Sequence, residues 1–183
     1  MINIHSLYPT VYKVGLFICF YRTKMLYLPV FHDSIMLVSM SDSNQHITAQ
    51  TISTYEQSAN SFWEGTRDHD VSQNIESLLD AIGGDGPHKI LDLGCGPGRD
   101  LLDFKKRGHS PIGLDGCTSF CEMARAYADC EVWEQNFLAL QLPNKAFDGV
   151  FANATLFHVP KTELPRVLSE LRDCLRPNGV LFS

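Results

Sequence analysis

The sequence predicts an α/β fold, a three-layer sandwich with a mainly parallel sheet between helices. Three observations carry this expectation. Short apolar runs, among them KILDL (89–93) and SPIGLD (110–115), alternate with amphipathic segments. A glycine-rich turn, GCGPGRD (94–100), follows the first of these runs directly. The chain has 183 residues and 44% apolar content, which suits about one globular domain. Strands that alternate with helices build a sheet covered on both faces, and its ligand lies beyond the carboxyl ends of the strands.

The elements follow in order. DHDVSQNIESLLDAIGG (68–84) reads as a capped helix: Asp70 and Gln73 have capping-box spacing, and Gly83-Gly84 stops the chain. Ile75, Leu78, Leu79 and Ile82 recur at helical spacing and predict one apolar face. KILDL is the first strand. RDLLDFKKRG (99–108) is a helix closed by Gly108, and SPIGLD is a strand that ends at Asp115. TSFCEMARAYA (118–128) is a helix expected to bury Phe120, Met123, Ala124 and Tyr127. CEVWEQ (130–135) and AFDGVFAN (146–153) are the third and fourth strands. TELPRVLSELRDCL (162–175) is a helix with Leu164, Val167, Leu168 and Leu171 inward. RPNG (176–179) then turns the chain into a fifth strand, VLFS (180–183).

Residues 1–50 are expected to form a poorly ordered extension, and 51–183 the folded domain. VGLFICFY (14–21) is apolar but too short for a membrane span, which needs about 20 such residues. It also lacks a clear cleavage site for a signal peptide. MSDSNQHITAQT, from Met40, reads like an ordinary protein start, so residues 1–39 need not belong to the native protein. The net charge is −6; residues 1–40 carry +2, leaving −8 on 41–183. An acidic body argues against a nucleic-acid partner, which usually meets a basic patch. The six cysteines form no CxxC pair and no zinc set. Free thiols, no bound metal and a cytoplasmic location are therefore expected.

The glycine turn narrows the ligand. A triphosphate loop requires Gly-Lys-Ser/Thr, but Gly98 is followed by Arg99 and Asp100. The dinucleotide fingerprint Gly-x-Gly-x-x-Gly is met by Gly94 and Gly96 and broken by Arg99, and Asp100 would repel a pyrophosphate at a helix N-terminus. An NAD-dependent oxidoreductase is therefore the less favoured alternative. A ligand with an adenosine and no phosphate fits better.

ILDLGCGPGRD followed by GLD resembles the class I S-adenosyl-L-methionine-dependent methyltransferases, which have a Rossmann-like fold. FDGVFANATLFHV and LPRVLSELRDCLRPNGVLFS are similar to the family's later segments, so the resemblance runs from about Tyr55 to Ser183. It implies a transferase (EC 2.1.1.-) with S-adenosyl-L-methionine as cofactor. The turn of Gly94, Cys95, Gly96 and Gly98 would border the methionine portion and ribose. Asp115 would accept from the ribose hydroxyls, and Asp92 would orient the amino group. Asn136 and Phe137 would meet the adenine, and Asn153 would lie near the transferred methyl. Tyr55 and Trp63 would cover the cofactor, and Arg67 would pair with its carboxylate. His158, in LFHVP, is the candidate base, because a histidine changes protonation near neutral pH. His69 is a second candidate, as a substrate contact, ranked below His158. Asp148 is expected to be structural. Members of this family usually continue with another helix and an antiparallel strand pair. A chain that ends at Ser183 is thus expected to lack those C-terminal strands and to leave its last strand at the sheet edge. The alternative to an active enzyme is a truncated, non-catalytic cofactor-binding fragment. A small-molecule methyl acceptor is the expected partner, with no nucleic acid and no membrane.

Overall fold

A computed structural model describes residues 17–19 and 34–183, with side chains from 43 onward. Its elements are β1 (Phe17–Cys19), α1 (Ser34–Thr66), α2 (Ser72–Ile82), β2 (Lys89–Leu93), α3 (Arg99–Lys106), β3 (Ser110–Asp115), α4 (Thr118–Ala128), β4 (Val132–Glu134), β5 (Phe147–Phe151), α5 (Leu164–Cys174) and β6 (Leu175–Phe182). The sheet order is β1-β6-β5-β2-β3-β4. Strands β2 to β6 are parallel to one another, and β1 lies antiparallel on β6, with Phe17 opposite Phe182. From β2 the chain winds outward through β3 and β4, then crosses back to β5 on the other side of β2. The reversal places a crevice at the carboxyl ends of β2 and β5.

Alternation along the strands divides the core. Leu91, Leu93, Ile112, Leu114, Val150 and Leu181 share one cluster with Val167 and Leu171 of α5. Ile90, Phe151 and Val180 face the other side, against Ile75 and Leu78 of α2 and Phe104 of α3. Ile75 and Leu78 are fully buried, each contributing about 2 kcal/mol of apolar transfer. Asp70 serves the start of α2, where its carboxylate accepts from the Ser72 N–H (2.9 Å), and the Gly83 N–H donates to the Leu79 carbonyl (3.0 Å) at its end. Asp148 is structural: its oxygens accept from the Lys89 N–H (2.7 Å) and Arg176 (2.6 Å), pinning β5 to its neighbours.

Four expectations change. Residues 1–16 and 20–33 of the expected extension lie outside the described residues. Of the remainder, 17–19 form a strand, and α1 runs from Ser34 through residue 50 without a break. Thr48 is buried and the Asn44 amide donates to Thr162 (2.9 Å), so the domain begins before residue 51. The last strand is not the edge, because β1 pairs with its outer side. RPNG does not precede that strand but bulges within it: Leu175 pairs with Phe147, and pairing resumes only at Val180 with Gly149. Helix α4 buries Phe120, Cys121, Ala124 and Ala128, whereas Tyr127 is exposed and Met123 only partly buried. The helix packs on both α3 and α1, which rotates its buried stripe toward Cys121. No helix among the described residues is long and apolar enough to cross a membrane.

Candidate active site

A cavity of about 630 Å³ opens at the carboxyl ends of the parallel strands. That volume lies in the range of small-molecule and cofactor sites, about 300–1,000 Å³. Its floor is the glycine turn. Gly94, Cys95 and Gly96 line it, and the Gly94 N–H donates to the Leu114 carbonyl (2.7 Å), holding the turn on β3. Gly96 has a positive φ of 50°, and the nearest atom to a Cβ placed there would be Phe62 Cε1 at 3.8 Å, so the backbone itself is presented to the cavity.

Asp115 stands at the end of β3. Its Oδ2 accepts from the Gly96 N–H (3.0 Å) and its Oδ1 from the Cys117 N–H (2.9 Å). Burial nevertheless raises its pKa above the usual aspartate value, against the lowering effect of these bonds. Asn136 follows β4 and lines the cavity beside Phe137. Its Oδ1 accepts from the Leu138 N–H (2.8 Å), capping a short 3₁₀ turn. Asn153 follows β5, and its Oδ1 accepts from the Asn74 amide (3.0 Å). This bond ties the β5 loop to α2.

Helix α1 forms the roof. Ile52, Tyr55, Ala59, Phe62 and Thr66 recur at spacings of three and four, so they share one face. Tyr55, Phe62 and Phe120 pack with ring centroids 5.1 to 5.6 Å apart. Trp63 lines the cavity and sets its ring against Tyr127 at 4.7 Å. Glu56 fastens the roof to α4, accepting from the Ser119 N–H (3.2 Å) and hydroxyl (2.5 Å). These bonds hold its carboxyl below the usual glutamate range.

Tyr55 also reaches His158, with its hydroxyl 3.1 Å from Nε2. Burial lowers the His158 pKa below its ordinary value of 6.5 and raises that of Tyr55. Both are then neutral at pH 7, and the tautomer of His158 sets whether the phenol donates to Nε2 or the Nε2–H donates to the phenol. Tyr55→Phe removes this bond: the His158 pKa rises if the phenol donated to Nε2 and falls if the Nε2–H donated to the phenol, so the sign of the shift identifies the tautomer. Histidine resonances followed against pH in the two proteins check this. The sign for stability follows from linkage. A depressed native pKa means that the unfolded state binds the proton first, so His158 costs stability as pH falls below 6.5.

Three predicted residues are not on the cavity wall. Asp92 is 3% exposed and lies behind the turn; its Oδ2 has no hydrogen-bond partner among the described residues. Burial, then the nearby Asp100 and Asp115, push its pKa well above the ordinary range. Gly98 packs against Ala124 of α4 rather than toward the cavity. Arg67 is exposed and pairs with Glu64 (3.2 Å) and Asp68 (3.6 Å), so its charge is used locally. Arg99 is the guanidinium that lines the cavity instead. His69 and Thr48 line it too; the Thr48 hydroxyl is buried without a partner among the described residues. Thr48, Ile52, Phe120 and Thr155 are wall residues that motif reading passed over. For the first two, helical spacing through Ile52, Tyr55, Ala59 and Phe62 was the available signal.

The parallel sheet, the glycine turn after β2 and the acid at the end of β3 define a Rossmann-like domain built for a nucleoside cofactor. Residues 90–179 match the family model described as a methyltransferase domain. The chain is 28% identical over 153 residues to the ubiquinone biosynthesis O-methyltransferase of Histophilus somni, covering 75% of this chain and 63% of that protein. It is 31% identical over 122 residues to the malonyl-[acyl-carrier protein] O-methyltransferase of Xylella fastidiosa, covering 62% and 40%. Its fold is similar to the crystal structure of an S-adenosylmethionine-dependent methyltransferase from Mesorhizobium loti, with a TM-score of 0.51, 26% identity, and coverage of 60% of this chain and 50% of that one. Residues 90–179 thus resemble a methyltransferase domain, within a fold similar to that of S-adenosylmethionine-dependent methyltransferases. It spans less than two thirds of the length of each of these relatives.

The wall fits that cofactor. On that wall the buried Thr48 Oγ1 lacks a partner among the described residues, and polar groups in that state normally have one. The open backbone at Gly96 and the aromatic roof supply a cradle for a nucleoside.

Proposed function

We propose that this protein transfers a methyl group from S-adenosylmethionine to a small-molecule acceptor in the cytoplasm. The observation that carries the reading is the cavity floored by the Gly94–Gly96 turn, with Asp115 at its edge and the aromatic face of α1 above. Asp115 would hold the ribose hydroxyls, because its two oxygens retain lone pairs beyond those given to Gly96 and Cys117. Asp92, behind the turn, would reach the amino group through water. Asn136 has its oxygen committed to Leu138, so its amide N–H groups are what it offers the adenine beside Phe137. Tyr55, Phe62 and Trp63 exclude water, and the face of Trp63 suits a sulfonium.

When bound, the cofactor supplies a methyl group already activated on sulfur. The protein then has to align the acceptor in line with that methyl and keep water out. Asn153 holds the loop that borders this region. Where the accepting atom carries a proton, His158 is the base, and its depressed pKa keeps it unprotonated at neutral pH. The acidic charge of −6 supports a small-molecule acceptor over a nucleic acid. Free cysteines, Cys95, Cys117, Cys121, Cys130 and Cys174 among the described residues, suit a reducing compartment.

Calorimetric titration tests the reading. S-adenosylmethionine and its demethylated product, S-adenosylhomocysteine, are expected to bind, and NAD is not. Absence of binding by both sulfur ligands overturns it. A screen of acceptors with labelled cofactor then identifies the atom methylated.

A further inference from the structure

We infer that Arg99 is a positioning residue that latches the roof of the cavity to its floor, holding the C-terminal end of α1 against the start of α3. Its Nε donates to Asp100 Oδ1 (2.7 Å) and one terminal nitrogen to Asp100 Oδ2 (3.1 Å), a two-pronged pair that fixes the plane of the guanidinium. The other terminal nitrogen donates to the Thr66 carbonyl (2.9 Å). Both charged side chains are largely withdrawn from water, at 24% and 12% exposure, so the pair is held more firmly than a surface one.

Thr66 is the last residue of α1, where helix carbonyls lack partners within the helix and a cation is favoured. The same carbonyl accepts from the His69 N–H (3.1 Å), so the latch also sets the segment that carries His69 onto the wall. One turn earlier, Phe62 and Trp63 line the cavity. Glu56 anchors α1 ten residues before Thr66. Among the described residues, no hydrogen bond other than that of Arg99 ties the helix beyond Glu56 to the rest of the domain. The aromatic half of the roof therefore has one polar fastening. That fastening needs a fork: a lysine ammonium can hold Asp100 or reach Thr66 but lacks the planar geometry to do both.

The latch is a property of the cofactor-free protein, and only its effect on ligand escape rests on the proposed cofactor reading. Amide hydrogen exchange without ligand reads the first. Arg99→Ala and Arg99→Lys are each expected to raise exchange across residues 59–69 by about tenfold, while β2, β3 and β5 keep their protection. If Arg99→Ala does not fold, Asp100→Asn gives the same local rise at unchanged volume. Stopped-flow displacement of S-adenosylhomocysteine reads the second: the ligand leaves the variants about fivefold faster or more. Unchanged exchange over 59–69 overturns the latch even if affinity falls, because Arg99 then acts on the ligand directly. A local rise in exchange with no binding of S-adenosylhomocysteine by the parent protein sinks the cofactor reading and leaves the latch standing.

Discussion

Asp115→Ala lowers the affinity for S-adenosylmethionine by about a hundredfold or more. The carboxylate has about four lone-pair sites, of which the N–H groups of Gly96 and Cys117 take two. The remaining two match a pair of adjacent ribose hydroxyls. A hydrogen bond to a charged group is worth about 1.5–3 kcal/mol, so losing both costs about 3 kcal/mol at least, which is a hundredfold. The variant also frees the Gly96 N–H, unpinning the floor itself. Asp115→Asn keeps the shape but converts one acceptor into a donor aimed at a backbone N–H, so it is expected to lose most of the same affinity. Burial raises the Asp115 pKa, so affinity also declines on acidification sooner than an ordinary aspartate, titrating at 3.8, would allow. Calorimetry across a pH series measures all three effects, and unchanged affinity in Asp115→Ala removes this residue from the ribose site.

The parts of this site that the sequence discloses are those set by neighbours in the chain. KILDL, GCGPGRD and the acid ending SPIGLD are each local patterns, and they become the floor and the edge of the cavity. The five parallel strands were legible for the same reason: each is a short apolar run bounded by a turn or a helix. The roof was harder. SNQHITAQTISTYEQSANS is polar in composition, and its helical signal lies in the spacing of Ile52, Tyr55, Ala59 and Phe62 rather than in hydrophobic content. Which arginine faces the cavity could not be read at all. Arg67 lies between Glu64 and Asp68, which consume its charge on the surface, while Arg99 finds a partner 33 residues away in Thr66. Asp92 was recognised by its motif, but strand alternation puts it on the face of Ile90, behind the turn and beside Asp100. Pairing of Phe17–Cys19 with β6 joins residues from opposite ends of the chain, which no local pattern encodes.

Gly98→Ala is expected to act on stability rather than on ligand contact. Two costs coincide. The residue has φ 93°, in the region where a side chain meets its own backbone, and a non-glycine residue in the left-handed region loses about 1–2 kcal/mol. The added Cβ would also lie 2.8 Å from Ala124 Cα and 3.0 Å from its Cβ. These are parts of the α4 backbone and its shortest side chain, so no rotamer change relieves the overlap. Overpacking of this kind costs about 1–3 kcal/mol. Together they give about 3 kcal/mol, a large share of the roughly 5–15 kcal/mol that holds a domain. For a chain of this size the melting temperature falls by about 10 °C. Gly96→Ala separates floor chemistry from packing: its Cβ would meet nothing nearer than Phe62 Cε1 at 3.8 Å, so it pays mainly the φ term while intruding on the cavity. Calorimetric melting with ligand titration on both variants is therefore expected to divide them, with Gly98→Ala losing stability and Gly96→Ala losing affinity. If Gly98→Ala melts within about 3 °C of the parent, the close approach of α4 to the turn is not what demands a glycine there.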